Sequence, residues 1–237
     1  MLYKRFLVML IVLLLLNCSA GNSKFNKASF KEKKYSEEQI MLFSDIGFRE
    51  SNIVRKWDTD INVEIRDINS LNLSYISDVD SCISILSPLI KPLKIKRVVS
   101  GGNLSIIFMN RLPLQMGMAM GYCKLNNLWL SSNINSVELY ILKNQSDASI
   151  LLHEFEHALG LAHPKRKYPY LLNICGREQP TIFKTIDEYL EYSKKRYPIS
   201  QQEKVVLKML YCGDFSSGLD RKVFAREMNI KDDYLWK

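Results

Sequence analysis

The chain has 237 residues, of which 47% are hydrophobic and 24% charged, and its formal net charge is +8 at pH 7. This length is enough for one domain with a substantial core. The basic residues come in short, scattered groups, and the sequence contains no Gly-rich phosphate loop, no nucleic-acid-binding module and no internal repeat. The composition therefore argues against a nucleic-acid partner and favours solvated basic faces or attraction to anionic lipid.

The amino terminus has the pattern of an export signal. Two basic residues precede an apolar run over residues 6–16, which is short for a membrane span and has the length of a signal-peptide core. The run leads to Asn17 and Cys18, which resemble the end of a bacterial lipobox with Asn17 in place of the usual small residue. We expect residues 1–17 to be a lipoprotein signal peptide and Cys18 to carry a lipid, which would anchor the protein in the cell envelope, at the outer membrane or the cell surface. Cleavage after Ala20, which would secrete the protein, is the alternative.

The next segment is polar before the first regular elements begin. Residues 18–36 are rich in lysine, and we expect them to form a tether. The folded domain is expected to cover residues 37–237 and to begin with a helix that starts at Ser36. The alternation of isoleucine and valine over residues 61–65 predicts a first strand, and a second helix is expected over residues 79–86.

Further strands are predicted before the histidine-containing region. Two of them flank a turn signal at residues 101–103, and the full set covers residues 97–99, 104–109, 128–130 and 137–142. Ser146 or Asp147 is expected to cap the helix that follows, because short polar side chains accept hydrogen bonds from the first N–H groups of a helix.

The three histidines of the chain, His153, His157 and His163, lie within eleven residues. Histidines four positions apart lie one turn apart on the same face of an α-helix, so the first two can bind one metal ion. A helix continued to position 163 would carry that side chain roughly 9 Å further along the axis and to another face. Gly160 resolves this, because glycine ends a helix in the left-handed region at little cost and lets the chain turn back.

The residues between the histidines indicate what the metal would do. Three imidazoles leave one position of a tetrahedral zinc ion open to water, which is the arrangement of a catalytic site. Glu154, beside the first ligand, can accept a proton from that water as general base and pass it to a leaving amine. We therefore expect one Zn²⁺ per chain. Glu156, on the same helix, is expected to be solvated or salt-bridged.

The complete HExxHxxGxxH run resembles the signature of the metzincin clan of zinc peptidases and matches it at every fixed position. The resemblance implies a zinc-dependent endopeptidase acting on extracytoplasmic proteins or peptides, with Glu154 as general base on a zinc-bound water. It also implies an α+β fold: a mixed twisted sheet with an active-site helix in a subdomain to about residue 163, then a small, mostly helical C-terminal subdomain over about 164–237. Residues 199–211 resemble the last helix of matrixin-like domains, and the whole pattern looks like bacterial lipoproteins with a peptidase-like core.

The same resemblance suggests two further parts of the site. Residues 121–130 are the candidate rim of a cleft along which a peptide would lie extended. Metzincins also place a methionine beneath the zinc, whereas this chain has no methionine between Met120 and Met209. Ile182 is the expected apolar floor in its place, with Ile174 as the alternative, and no tyrosine ligand is expected.

Two questions stay open at the level of sequence. Cys82, Cys123, Cys175 and Cys212 can form two disulfides in three ways or remain reduced. The competing function is a binding or scaffold lipoprotein that keeps the fold without turnover, against which the intact Glu154 argues.

The expected partners are a peptide or protein substrate and the membrane reached through the lipid. Nothing in the sequence indicates an oligomeric state.

Overall fold

The computed structural model describes residues 25–48, 52–66, 72–111, 120–126, 131–143, 148–165 and 199–230. Within these ranges the protein is a mixed α/β structure with a five-stranded, mostly parallel sheet and six α-helices. The strands are β1 (Ile61–Ile65), β2 (Ile95–Val98), β3 (Leu104–Met109), β4 (Gly121–Leu125) and β5 (Val137–Leu142). The helices are α1 (Lys27–Glu32), α2 (Glu37–Ile46), α3 (Leu73–Leu86), α4 (Ala148–Ala158), α5 (Gln201–Tyr211) and α6 (Arg221–Met228).

The strand order across the sheet is β2-β1-β3-β5-β4. Neighbouring strands are parallel as far as β5, and β4 runs antiparallel to β5 at the edge of the described sheet. Along β1 the residues alternate between buried and partly exposed, as the sequence pattern predicts. Helix α3 packs against β2, α4 packs against β4 and β5, and the two helices pack against each other. They therefore lie on the same face of the sheet.

Several local elements confirm the sequence expectations. Helix α2 begins after Ser36, whose side chain accepts from the backbone N–H of Gln39 while the Gln39 side chain accepts from that of Ser36. Helix α5 begins after Ser200 with the same arrangement, and β5 covers the predicted residues. Helix α3 starts earlier than expected, because Asn72 caps it by accepting from the N–H of Ser74.

The turn signal at residues 101–103 separates β2 and β3 without pairing them. The two strands lie on opposite sides of β1 and both run parallel to it. The connection passes β1 closely: the N–H of Gly102 donates to the Glu64 carboxylate at 2.9 Å, and the Asn103 side chain accepts from the N–H of Asn62 at 2.7 Å. A Cβ at position 102 would lie 2.7 Å from the Asn62 carbonyl oxygen, so the short crossing requires glycine there.

Part of the segment predicted as a tether is folded. Phe30 of α1 is 1% exposed, and its ring packs in an aromatic cluster with Phe25, Phe43, Phe215 and Phe224. The tether prediction is therefore wrong for residues 25–36, because aromatic side chains among the lysines supply apolar surface that the domain buries. Helix α2 also packs against α5 and α6, so the amino-terminal helices contact the carboxyl-terminal ones.

The two-disulfide scheme is not formed. No disulfide joins any two of Cys82, Cys123 and Cys212, the cysteines that the structure describes. Every complete pairing of four cysteines would join two of these three. Cys175 lies outside the described residues.

Other predictions also fall outside the described residues: the signal peptide at 1–17, Cys18, the strand at 128–130, the capping residues Ser146 and Asp147, and the floor residues Ile182 and Ile174. The domain boundary near residue 163 stays a prediction. Among the helices that the structure describes, none has both the length and the apolar character needed to cross a membrane.

Candidate metal centre

Helix α4 and the segment after it bring the three predicted ligands together. His153 and His157 lie one turn apart on α4, and their Nε2 atoms are 3.1 Å apart. His163 lies beyond the end of the helix, with its Nε2 atom 3.2 Å from that of His153. One candidate ligand atom from each histidine lies within 4.8 Å of the other two, which is close enough to bind one metal ion.

The distances and hydrogen bonds of this cluster suit a tetrahedral ion. Zn–N bonds of about 2.0–2.1 Å at the tetrahedral angle place two ligand nitrogens about 3.3–3.4 Å apart, close to the 3.1 and 3.2 Å observed. The Nδ1 atom of His157 lies 2.9 Å from the carbonyl oxygen of Leu161. Because a carbonyl only accepts, we infer that Nδ1 carries the proton and that Nε2 keeps its lone pair for a metal. Imidazole donors suit zinc and also copper, nickel or iron.

Helix α4 ends at Ala158, and Gly160 lies in the turn that follows, where the sequence predicts the chain to leave the helix. Gly160 has φ of +108°. Its N–H donates to the carbonyl oxygen of His157 at 3.0 Å, and the N–H of Leu161 donates to that of Glu156 at 3.1 Å. These two bonds form a Schellman motif, which satisfies carbonyls that the helix itself leaves without donors.

The turn after the helix also packs closely against two distant segments. A Cβ at position 160 would lie 2.0 Å from the carbonyl oxygen of Arg55, so glycine is required for close approach as well as for its φ. The N–H of Ala162 donates to the carbonyl oxygen of Ile46, at the end of α2, at 2.7 Å. These contacts direct the chain back so that His163 faces the other two histidines.

Two buried side chains satisfy the last carbonyls of the helix end. The Trp57 indole Nε1 donates to the carbonyl oxygen of Ala158 at 2.8 Å. The Tyr211 hydroxyl donates to that of Leu159 at 2.9 Å and accepts from the N–H of Trp57 at 3.4 Å. Burial raises the pKa of Tyr211, so the hydroxyl stays protonated and able to donate. Neither residue can be recognised from the sequence, because their partners lie about 50 and 100 positions away in the chain.

Glu154 lies against the backbone of the edge strand. Glu154 is only 5% exposed. A Cβ at Gly121 of β4 would lie 2.7 Å from its Oε1 atom, so the carboxylate occupies space that any other residue at 121 would fill. This role of Gly121 was not predicted from the sequence. The available signal was a glycine at the start of a strand, which often marks the close approach of another group.

The predicted rim is described in part. Residues 121–125 form β4, which pairs with β5 and with no other strand of the described sheet. Residues 127–130 lie outside the described residues. β4 is therefore an edge strand beside the helix that carries the histidines, as a rim requires.

Glu156 is buried, so the solvated alternative of its expectation is wrong, whereas a salt bridge stays a prediction. Its side chain is at 0% exposure, because α4 packs against α3 as well as against the sheet. Burial, together with the negative charges of Asp78 and Glu156, raises the pKa of Cys82 on α3 to about 12. Glu156 therefore belongs to the helix interface, whereas Glu154 faces the edge strand.

The chain matches none of the protein-family models and none of the curated proteins with which it was compared. The residues of the site and their geometry are therefore the basis on which a function can be proposed.

Proposed function

We propose that the protein is a zinc-dependent endopeptidase of the metzincin type that hydrolyses peptide bonds of extracytoplasmic proteins or peptides. The observation that carries this proposal is the convergence of His153, His157 and His163, with Glu154 on the same helix. A catalytic zinc site needs three protein ligands, one open position and a base beside it.

The fold supports the metzincin type. A mixed sheet packs on one face against the helix that carries the first two ligands, and an antiparallel edge strand lies beside that helix. Gly160 ends the helix and is followed by the third ligand, and helices follow towards the carboxyl terminus. These features are compatible with the α+β fold that the resemblance implies, and they support the proposal.

The residues of the site have separate tasks in hydrolysis. Bound by the three imidazoles, zinc would supply a Lewis acid that polarises the scissile carbonyl and lowers the pKa of the attacking water. Glu154 accepts the proton of that water and delivers it to the leaving amine. The N–H and C=O groups on the outer edge of β4 can align an extended peptide by adding it to the sheet as a strand.

The amino-terminal pattern supports an activity outside the cytoplasm. Lipid on Cys18 would tether the enzyme to the cell envelope, and cleavage after Ala20 would instead release it. In either case the substrates are extracytoplasmic peptides or proteins.

Metal analysis and a cleavage assay test the proposal. The purified protein should contain one zinc per chain, and His157→Ala should lose it. The wild type should cleave members of a broad peptide library, and a chelator should stop the cleavage. Glu154→Gln should keep the zinc and lose about 100-fold or more of the turnover, because an amide does not accept the proton.

The outcomes distinguish a zinc peptidase from a binding lipoprotein without turnover. Zinc bound by the wild type without any cleavage across the library would favour the binding lipoprotein. A zinc content unchanged in His157→Ala would contradict the ligand assignment.

A further inference from the structure

The third ligand is held in a different way from the first two. His153 and His157 belong to helix α4 itself, so the helical ladder sets their spacing. His163 lies beyond Gly160, and its position depends on the direction in which the chain leaves the helix. Any group that fixes the last peptide units of α4 therefore also fixes the third ligand.

The carbonyls at this helix end fall into two groups. Those of Glu156 and His157 accept from N–H groups of the turn itself. Those of Ala158 and Leu159, directly before Gly160, accept instead from side chains of distant segments. Without these two donors, the peptide units before Gly160 would lose the hydrogen bonds that set their orientation.

We propose that Tyr211 and Trp57 are positioning residues for His163, which they hold in ligating position through the carbonyls of Leu159 and Ala158. This inference rests on the proposed function, because it concerns the affinity of the same metal site. Helix α5, which ends at Tyr211, would then contribute to metal binding without supplying a ligand.

The burial of both donors supports this role. Trp57 is 1% and Tyr211 4% exposed, and the two are joined by the bond from the Trp57 N–H to the Tyr211 hydroxyl. Water therefore has little access to replace a lost donor, and the freed carbonyl would have to turn elsewhere. Further along the chain, the N–H of Ala162 donates to the carbonyl oxygen of Ile46 at the end of α2. A reorientation of the freed carbonyl would displace this N–H as well.

Tyr211→Phe tests the proposal because it removes the hydroxyl and keeps the ring. The affinity of the metal-free protein for Zn²⁺ should fall by about tenfold or more, the usual effect of losing a group that orients a ligand. Tyr140→Phe is the matched control, since it removes a hydroxyl that donates to Glu138 at 3.0 Å on the sheet. The control should bind Zn²⁺ as the wild type does.

A double-mutant cycle distinguishes positioning from general stability. If Tyr211 acts through His163, then Tyr211→Phe should weaken Zn²⁺ binding in the wild type and have almost no further effect in His163→Ala. A second readout is the visible spectrum of the Co²⁺-substituted protein, which reports on coordination geometry. It should change in Tyr211→Phe and remain that of the wild type in Tyr140→Phe.

Amide hydrogen exchange covers the case in which Tyr211→Phe loses too much stability for titration. Exchange at Leu161 and Ala162 should become faster relative to exchange in β1, in the absence of any metal. Zn²⁺ affinity unchanged in Tyr211→Phe, or weakened equally in the His163→Ala background, would overturn the inference and leave the zinc site standing. A wild type that binds no Zn²⁺ would overturn the proposed function, and this inference with it.

Discussion

Replacement of Gly160 by alanine is the most direct test of how the third histidine is placed. The new Cβ would lie 2.0 Å from the carbonyl oxygen of Arg55, where an ordinary contact is 3.4 Å or more. The backbone at one of the two positions must therefore move by more than about 1 Å. The φ of +108° would also have to be kept by a residue that rarely adopts it.

The two effects set the expected loss of stability. Backbone strain at an unfavourable φ costs about 1–3 kcal/mol, and forced displacement of packed neighbours costs typically about 1–3 kcal/mol. The smaller conformational freedom of alanine in the unfolded chain offsets about 0.4–1 kcal/mol. We therefore expect Gly160→Ala to lower the free energy of unfolding by about 1–6 kcal/mol.

Urea unfolding of the metal-free protein measures this loss, and a Zn²⁺ titration measures its effect on the site. Gly101→Ala is the matched control, because Gly101 has φ of +74° but a Cβ there would meet nothing within 4 Å. The control should lose only the left-handed cost of about 1–2 kcal/mol and bind Zn²⁺ normally. A loss in Gly160→Ala no greater than in the control, with unchanged Zn²⁺ affinity, would refute the reasoning.

Three further predictions concern other parts of the molecule. Gly121→Ala should displace the Glu154 carboxylate and lower kcat by up to about 100-fold while metal analysis still finds the zinc; an unchanged kcat would contradict the placement of the base. Burial would raise the pKa of Asp214, but hydrogen bonds from Lys33, Ser29 and Cys212 outweigh it and lower that pKa. The ionised Asp214 side chain therefore contributes its full stabilisation above about pH 4. This stabilisation is lost as the pH falls through the lowered pKa. The urea midpoints at pH 5 and pH 3 should therefore differ less in Asp214→Asn than in the wild type. Equal differences in the two proteins would show that Asp214 does not contribute to the pH dependence of stability. Mass spectrometry of the membrane fraction should find a mature chain that begins at lipidated Cys18, whereas an unmodified chain beginning at Gly21 would indicate secretion.

Short-range patterns in the sequence were sufficient for the parts of the site that depend on neighbouring residues. The four-residue spacing of His153 and His157 gives a shared helical face whatever the rest of the fold does. The helix start at Ser36 involves Gln39, a partner three residues away, and the structure has it. Gly160 could be recognised because a helix that continued would carry His163 away from the other ligands.

Tertiary packing decided what spacing does not encode. The carbonyl of Arg55 against Gly160, the Tyr211 hydroxyl on Leu159 and the backbone of Gly121 beside Glu154 each join positions that are distant in the chain. Packing also gives the two glutamates of helix α4 different environments, because α3 covers Glu156 whereas Glu154 faces the edge strand. Periodicity shows which residues an element can bury, but the partner that buries them is set by how the elements pack together.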